Sequence, residues 1–254
     1  MKFKNGFLLA GFTVLFLNVL HLASAQVPPV QTTTKFVMAN EAYRQGNYPE
    51  AISAYEDIVK TGRVSGPLYY NLGNSYLKAN QMGKAILNYE RALQYIPRDK
   101  DLKFNYQYAL SWVNAPVAPM NFITNVFKEH VEFYTSGEMV FILTLLIGLL
   151  AVFQIVSLFL RWSRRLRLNI MLLMGIFIVI YGIGLGMKID ACQNTAVILK
   201  DSESHFEPVE NSTVHFKLPQ GSKVKILETS EGWVKVERPD DKLGWVPETT
   251  LERI

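Results

Sequence analysis

The 254-residue chain contains a single cysteine and four histidines. One cysteine excludes an internal disulfide framework and a thiolate metal cage, because each needs several cysteines. The histidines are scattered along the chain, and none adjoins a nucleophile or metalloprotease motif; they are His21, His130, His205 and His215. We therefore predict that the protein is not an enzyme and has no metal site and no cofactor.

Charge is also scarce, since Asp, Glu, Lys and Arg make up 19% of the residues and the formal net charge is only +4. Six of the cations lie at the N-terminus or in one short segment between two apolar runs: Lys2, Lys4, Arg161, Arg164, Arg165 and Arg167. Without these six, the net charge falls to −2. Because no basic face is left, we predict that the protein does not bind nucleic acid.

The N-terminus has the pattern of a secretory signal peptide over residues 1–25. Two lysines precede an apolar run from Phe7 to Leu20, and Ala23-Ser24-Ala25 then gives the small residues of a cleavage site. An uncleaved N-terminal anchor is the alternative. Either interpretation places the following residues outside the cytoplasm, after a short polar linker at 26–34.

Two long runs without any charge, residues 139–160 and 168–187, predict a transmembrane hairpin. At 1.5 Å per residue in a helix, each is long enough to cross a hydrocarbon core of about 30 Å. The arginine-rich segment 161–167 between them predicts a cytoplasmic loop. Both flanks would then face the opposite side, which agrees with the signal peptide. A short linker with Asp190 and Cys192 is expected to follow.

Self-similarity at a 34-residue period marks the segment 32–113. Matching positions carry matching or similarly packed residues: Ala39/Gly73, Ala42/Tyr76, Ala51/Ala85, Ile52/Ile86, Tyr55/Tyr89 and Ile58/Ala92. Residues 69–99, with Leu72-Gly73, Ala85 and Pro97, resemble the tetratricopeptide repeat (TPR), which is a helical hairpin. Gly46-Asn47 and Asn80 predict the turns within the two hairpins.

A third unit is expected to begin at Lys100 and to form one helix that caps the stack. Phe104, Tyr108 and Trp112 recur every four residues, as they do on one face of a helix. The exposed apolar end of a repeat array needs such a cap.

The TPR resemblance implies a scaffold that binds a peptide or protein in a concave groove. The inner helices would present aromatic, amide and basic side chains to that groove: Phe36, Asn40, Tyr43, Arg44, Tyr70, Asn74, Leu77, Lys78, Phe104 and Tyr108. Rings would provide contact area, and amides would bind a peptide backbone. Several rings could instead pack against neighbouring helices. Asn40 and Asn71 match the pattern by which chaperone-binding relatives hold a C-terminal carboxylate. That activity is not expected here, because Phe36, Asp101 and Asn105 stand where basic residues are needed.

Residues 114–137 are predicted to be a linker or an interfacial helix. Phe122, Ile123, Val126 and Phe127 share one helical face, together with His130-Val131. A helix lying in the membrane interface fits this pattern. A continuation of the repeat fold fits it equally well.

The C-terminal segment 195–254 changes to a period of two, which is typical of half-buried strands. The sequence LPQGSKVKILETSEGWVKVERPDDKLGWVPETTLERI, with its GWVKV and GWVP pieces, resembles the bacterial SH3-like domain, which is a small barrel. That resemblance implies binding of cell-wall peptides or partner proteins, with Trp233 and Trp245 lining a groove. The alternative is that at least one of the two tryptophans belongs to the barrel core.

The complete layout resembles the BatE family of the Bacteroides aerotolerance operon. The implied fold is multi-domain: an all-α TPR array, a two-helix transmembrane hairpin and a small all-β SH3-like barrel. The implied protein is an inner-membrane scaffold with both modules in the periplasm, acting beside von Willebrand A-domain membrane proteins and a MoxR-type ATPase in aerotolerance or envelope stress. A cell-wall-binding adaptor or sensor, in which the barrel contacts peptidoglycan, is the alternative.

Overall fold

The computed structural model of the protein describes residues 30–113, 121–160 and 162–254. The predicted signal peptide and Arg161 lie outside the described residues. Eight α-helices are formed: α1 Val30–Arg44, α2 Tyr48–Lys60, α3 Gly66–Lys78, α4 Met82–Tyr95, α5 Lys100–Ser111, α6 Phe122–Phe133, α7 Ser136–Ser157 and α8 Arg164–Asn194. Seven strands follow: β1 Thr195–Ile198, β2 Ser202–His205, β3 Val214–Leu218, β4 Lys223–Ser230, β5 Trp233–Glu237, β6 Leu243–Pro247 and β7 Leu251–Arg253.

The first five helices form the predicted repeat array, with α1 packed on α2 and α3 packed on α4. Gly46 has φ +77° and Asn80 has φ +59°, so both occupy the left-handed region that the tight turns require. The prediction that Asn80 replaces a glycine is therefore confirmed. Asp99 caps α5, because its side chain accepts a hydrogen bond from the Leu102 amide at 2.7 Å.

Small residues allow the helices of the array to pack closely. Ala39, Ala51 and Ala85 are fully buried. At Gly73, a Cβ atom would lie only 2.7 Å from the ring of Tyr89. The structure therefore shows close helix packing at these positions, as the 34-residue repeat predicts.

The C-terminal strands form one antiparallel sheet in the order β3-β2-β6-β5-β4-β1-β7. Alternation within the strands puts Val234, Val236 and Val246 into a buried cluster with Leu218 and Val224. The sheet agrees with the predicted SH3-like fold.

The repeats and the sheet belong to one compact unit, which comprises residues 30–136 and 186–254. Val197 of β1 is part of the buried core of the repeats, and Leu199 and Ile254 pack against that core. Gly83 at the start of α4 makes this contact possible, because a Cβ atom there would lie 2.8 Å from the carbonyl oxygen of Ile198. The C-terminal segment therefore completes the core of the N-terminal repeats.

Two helices, α7 and α8, are long and apolar enough to cross a membrane. Their bounds differ from the predicted spans. Arg164–Arg167 belong to the first turn of α8 rather than to a loop, and the expected linker around Asp190 and Cys192 is wrong because α8 continues to Asn194. Charges end the apolar run after Met187, but they do not prevent helical hydrogen bonding.

Candidate functional site

An open pocket of about 210 Å³ lies on the repeat array. Its lining combines amide, phenol and guanidinium groups: Asn40, Tyr43, Arg44, Tyr55, Asn71 and Asn74. Four of these six were predicted to line the groove. Tyr55 and Asn71 were not.

A hydrogen-bonded group of one tyrosine and two asparagines forms the wall of this pocket. The Tyr55 hydroxyl donates to Asn40 Oδ1 at 2.5 Å, and Asn71 Nδ2 donates to the same oxygen at 2.9 Å. The first residue pair joins α2 to α1, and the second joins α3 to α1. The group therefore fixes the relative position of three helices and holds its amides in defined orientations.

The same group recurs 34 residues later. The Tyr89 hydroxyl donates to Asn74 Oδ1 at 2.7 Å, and Asn105 Nδ2 donates to that oxygen at 2.9 Å and to the Tyr70 hydroxyl at 3.1 Å. Tyr89, Asn74 and Asn105 thus repeat the roles of Tyr55, Asn40 and Asn71, whereas the bond to Tyr70 has no counterpart because Phe36 stands 34 residues earlier. We call these two sets the Tyr-Asn-Asn groups.

Each Tyr-Asn-Asn group leaves one amide donor and one amide acceptor unused. In the part of the chain that the structure describes, no protein group hydrogen bonds to Asn40 Nδ2 or Asn71 Oδ1, nor to Asn74 Nδ2 or Asn105 Oδ1. All four asparagines are partly solvent-exposed. An unused N–H beside an unused C=O is the complement of one peptide unit.

Burial keeps the tyrosines of these groups protonated. It raises the pKa of the Tyr55 phenol to about 12, and it raises the pKa of Tyr89 further. Both hydroxyls therefore remain donors at neutral pH. These hydrogen bonds fix the orientation of the amide groups of Asn40 and Asn74. The unused N–H groups of the two amides are therefore held in fixed directions as well.

The aromatic residues predicted for the groove have two roles. Phe36, Tyr43 and Tyr70 are half-buried, and each also meets a neighbouring ring; Phe36, for example, lies 5.8 Å from Tyr55 in an edge-on arrangement. The packing alternative therefore applies to part of each ring. Phe104 and Tyr108 on α5 are largely exposed, at 73% and 48%.

The basic residues predicted for the groove, Arg44 and Lys78, are both exposed and lie 34 residues apart. Arg44 lines the pocket and forms an ion pair with Glu41 at 2.6 Å. Lys78 is not among the residues that line the pocket.

The SH3-like sheet has a second polar and aromatic face. Trp233 and Trp245 are partly buried and lie on the side of β5 and β6 opposite to the inward-facing valines, so neither belongs to the buried core of the sheet. His205 stands opposite Trp245 and its ring lies 5.4 Å from that of Trp233. Lys235 lies over the Trp245 ring at 5.8 Å. These four residues are called the tryptophan face below.

Charged side chains join the repeats to the sheet. Lys223 of β4 binds both carboxylate oxygens of Glu90 on α4, at 2.9 and 3.0 Å, and the Tyr106 hydroxyl also donates to Glu90. Burial raises the pKa of Glu90, but the charge of Lys223 and the Tyr106 hydrogen bond lower it more, so the net pKa is below its ordinary value. Arg91 adds an ion pair to Glu252 at 2.8 Å.

No cluster of three or more His, Cys, Asp or Glu side chains suited to a metal ion occurs within residues 30–113, 121–160 and 162–254. The polar groups that the structure does bring together are amides, phenols and ion pairs. These groups bind ligands by hydrogen bonds and contact area.

Comparison with known protein families gives two matches. The tetratricopeptide repeat family matches residues 67–99, which span α3 and α4. The bacterial SH3 domain family matches residues 205–252, which reach from the end of β2 into β7. The chain thus contains a tetratricopeptide repeat and a bacterial SH3 domain. A search of curated proteins found no match to the chain.

Domains of these two kinds are typically non-catalytic interaction modules, and they imply protein partners or a cell-wall ligand. The Tyr-Asn-Asn groups were the main feature that the sequence predictions missed. The 34-residue spacing of Tyr55/Tyr89 was noticed, but it was assigned to packing alone. Extending the same spacing to Asn40/Asn74 and Asn71/Asn105 is the signal that would have found them.

Proposed function

We propose that this protein is a membrane-anchored scaffold that binds an extended segment of a partner protein in the groove of its repeats. The duplicated Tyr-Asn-Asn groups carry this proposal. Each has an amide N–H and an amide C=O that no described protein group uses, and a peptide unit needs one acceptor and one donor in return. The first group and Asn74 of the second line the pocket. Backbone recognition of this kind suits an extended segment, because its peptide groups are not used in its own helix or sheet.

The groove residues beside these groups supply contact area and charge. Phe104 and Tyr108 continue the groove as exposed rings, and rings are effective anchors in protein interfaces. Arg44 at the pocket and Lys78, 34 residues later, are two exposed cations of the repeats. We expect the bound segment to contain acidic residues, since these would pair with the two cations.

The location that we propose is the bacterial inner membrane, with the repeats and the SH3-like sheet in the periplasm. Residues 30–113 and 195–254 flank α7 and α8 in the chain but pack into one unit. Joining them requires both to be on the same side of the membrane, which an even number of crossings gives. The arginines between the two apolar helices favour the cytoplasm for the connection, and the signal-peptide pattern of residues 1–25 favours export.

The combination of modules supports a Bat-type complex as the setting. A repeat array, two apolar helices and a bacterial SH3-like sheet in this order resemble the layout of BatE proteins. We propose von Willebrand A-domain membrane proteins as partners, with a MoxR-type ATPase in the same system. A role in aerotolerance or envelope stress follows from that resemblance.

The test is in-cell cross-linking of the tagged full-length protein, followed by membrane purification and mass spectrometry. The groove variant carries Arg44→Ala and Lys78→Ala, and the matched control carries Lys60→Ala and Lys100→Ala, which remove the same charge at exposed sites outside the predicted groove set. We expect A-domain proteins with the control and their loss with the groove variant. Equal capture by both variants would refute the groove as the docking surface.

A second candidate function is cell-wall binding through the tryptophan face. The partly accessible rings of Trp233 and Trp245 with adjacent Lys235 suit a ligand that has apolar and anionic parts. Sedimentation of the detergent-solubilised protein with purified murein tests this candidate, with Trp245→Ala as the variant. Murein binding that Trp245→Ala abolishes would support it, and binding that the variant leaves unchanged would not.

A further inference from the structure

We propose that α6 is an in-plane membrane helix, which rests its apolar face on the lipid interface and holds the repeat–SH3 unit against the membrane surface. The inference rests on the proposed membrane location of α7 and α8. It assigns a lipid contact to a segment for which the sequence left a plain linker or a further repeat equally open.

The apolar face of α6 points away from the protein. Phe122, Ile123 and Val126 are 81%, 78% and 50% exposed, whereas Val131 on the opposite side is buried. A soluble helix normally shows the reverse arrangement, with its apolar stripe on the core. Apolar side chains clustered at this exposure mark a surface that another apolar phase covers.

The charged side chains Lys128 and Glu132 of α6 are themselves solvent-exposed, at 49% and 62%. Lys128 and Glu132 form an ion pair at 3.7 Å one turn apart. Burial lowers the pKa of Lys223, whereas the charges of Glu90 and Glu132 raise it, and Lys128 likewise helps to lower the pKa of Glu90. Both charges are thus felt at the Glu90–Lys223 ion pair while their side chains stay in contact with solvent.

The C-terminal end of α6 is fixed at the level where the apolar segments end. Lys188 Nζ donates to the backbone oxygens of Val131 and Tyr134, in the last turn of α6 and just beyond it. Lys188 is the first charged residue after the uncharged run 168–187. A lysine at that position keeps its ammonium group at the membrane–water interface. The end of α6, which is hydrogen-bonded to this ammonium, is therefore held at the interface as well.

The short connection between α6 and α7 also places the end of α6 at the membrane interface. Phe133 ends α6 and Ser136 begins α7, so only two residues separate them. Aromatic residues at this junction, Phe133 and Tyr134, are of the type that collects at the membrane–water boundary. A helix attached at its last turn to the ends of both apolar segments is confined to the interface, where an apolar face inserts by roughly 5–10 Å.

The lipid contact would give the protein a defined height above the membrane. If only α7 and α8 contacted the membrane, the distance between the repeat groove and the membrane surface could vary. With α6 on the surface, the groove and the tryptophan face keep a fixed distance from membrane-bound partners, which raises their effective concentration.

The experiment uses the full-length protein in phosphatidylcholine–phosphatidylglycerol nanodiscs, with an environment-sensitive fluorophore on single cysteines in a Cys192→Ser background. The test site is Val126→Cys. The matched control is Lys128→Cys, which has the same exposure, 49% against 50%, and lies two residues further on the opposite face. Ile147→Cys in the middle of α7 reports the anchor itself. Quenching is measured with lipids spin-labelled near the glycerol end of the acyl chain, and with lipids labelled near its tail.

We expect the Val126 label to be blue-shifted and to be quenched by the shallow spin label several-fold more than the Lys128 label. Equal, weak quenching at both sites would overturn the proposal. A blue-shifted Val126 label that lipids do not quench would also overturn it, because a protein surface would then cover this face. Failure of the tail-labelled lipid to quench the Ile147 label would show instead that the proposed anchoring is wrong, and α6 with it.

Discussion

The ion pair between Glu90 and Lys223 should decide how firmly the repeats and the sheet stay together. The Glu90 side chain is only 11% exposed, and its carboxylate has Lys223 and the Tyr106 hydroxyl as partners. Removing one member of a fully buried pair costs about 3–5 kcal/mol. Lys223 is 43% exposed, so water could partly replace the ammonium. We therefore expect Lys223→Met to cost about 2 kcal/mol.

Replacing the other member of the pair, Glu90, should lower the stability of the contact by less. In Glu90→Gln the ammonium of Lys223 can turn to solvent, and the amide oxygen still accepts from Tyr106, so we expect about 1 kcal/mol. The control is Lys217→Met, which breaks an exposed pair with Glu203 at 3.6 Å. That loss should be close to zero, since exposed pairs contribute little.

Hydrogen exchange with mass spectrometry on the detergent-solubilised full chain measures these effects in α4 and β4. A loss of about 2 kcal/mol corresponds to roughly thirtyfold faster exchange of amides that open with the contact. We expect the exchange rate to increase most in Lys223→Met, less in Glu90→Gln and least in Lys217→Met. Indistinguishable exchange of Lys223→Met and Lys217→Met would refute the reasoning, because the pair would then behave as an ordinary surface contact.

Three further outcomes are expected. Because the pKa of Glu90 lies below its ordinary 4.5, the pair's contribution is complete above pH 4.5 and is lost as the pH falls through the folded-state pKa. Protection factors in α4 and β4, which allow for the slower intrinsic amide exchange at low pH, should fall on acidification, and this acid step should be smaller in Glu90→Gln. Gly83→Ala should lower the melting temperature followed by circular dichroism, by about 1–3 kcal/mol in free energy, because the methyl meets backbone at the end of β1; Gly137→Ala, which meets nothing within 4 Å, should not lower it. Tyr89→Phe should cost about 1 kcal/mol in urea unfolding, because the hydroxyl no longer donates to Asn74; an unchanged midpoint would contradict this.

Local sequence signals predicted the helices of the repeat array and the turns between them, whereas the ends of α7 and α8 differ from the predicted spans. The 34-residue period fixes which positions face each other, and Asn80 takes the left-handed turn that Gly46 takes one repeat earlier. These features depend on a few neighbouring residues. The strands were predictable for the same reason, since alternation such as Val234 and Val236 is a local pattern.

Side-chain size is the reason why a core position was the alternative for one of the tryptophans. The run Trp233-Val234-Lys235-Val236 can bury either its odd or its even positions, and a large ring favours the choice that includes Trp233. Burying that set would also bury Lys235, which has no buried partner in the sheet. The valines therefore turn inward, and both tryptophans remain on the outer face.

The joint between repeats and sheet had no signal in the sequence. Glu90 and Lys223 are 133 positions apart, with the two apolar helices between them. Charged residues on a repeat helix and on a strand normally face water, so neither one stands out. Deleting residues 36–113 would remove the groove, but it would also uncover Leu199 and Ile254 of the C-terminal segment, which pack against the repeat core. Point variants such as Arg44→Ala test the groove without disturbing this packing.

The most direct test of the scaffold account is site-specific photo-cross-linking in living cells. A benzoylphenylalanine replaces Tyr43, which lines the pocket, or Tyr95, which is 45% exposed at the end of α4 and does not line it. The account predicts a discrete adduct with one partner protein at position 43, mapped to a single extended segment, and its loss when Arg44→Ala and Lys78→Ala are added. An adduct at position 95 with none at position 43 would contradict the claim that the repeat groove is the binding surface.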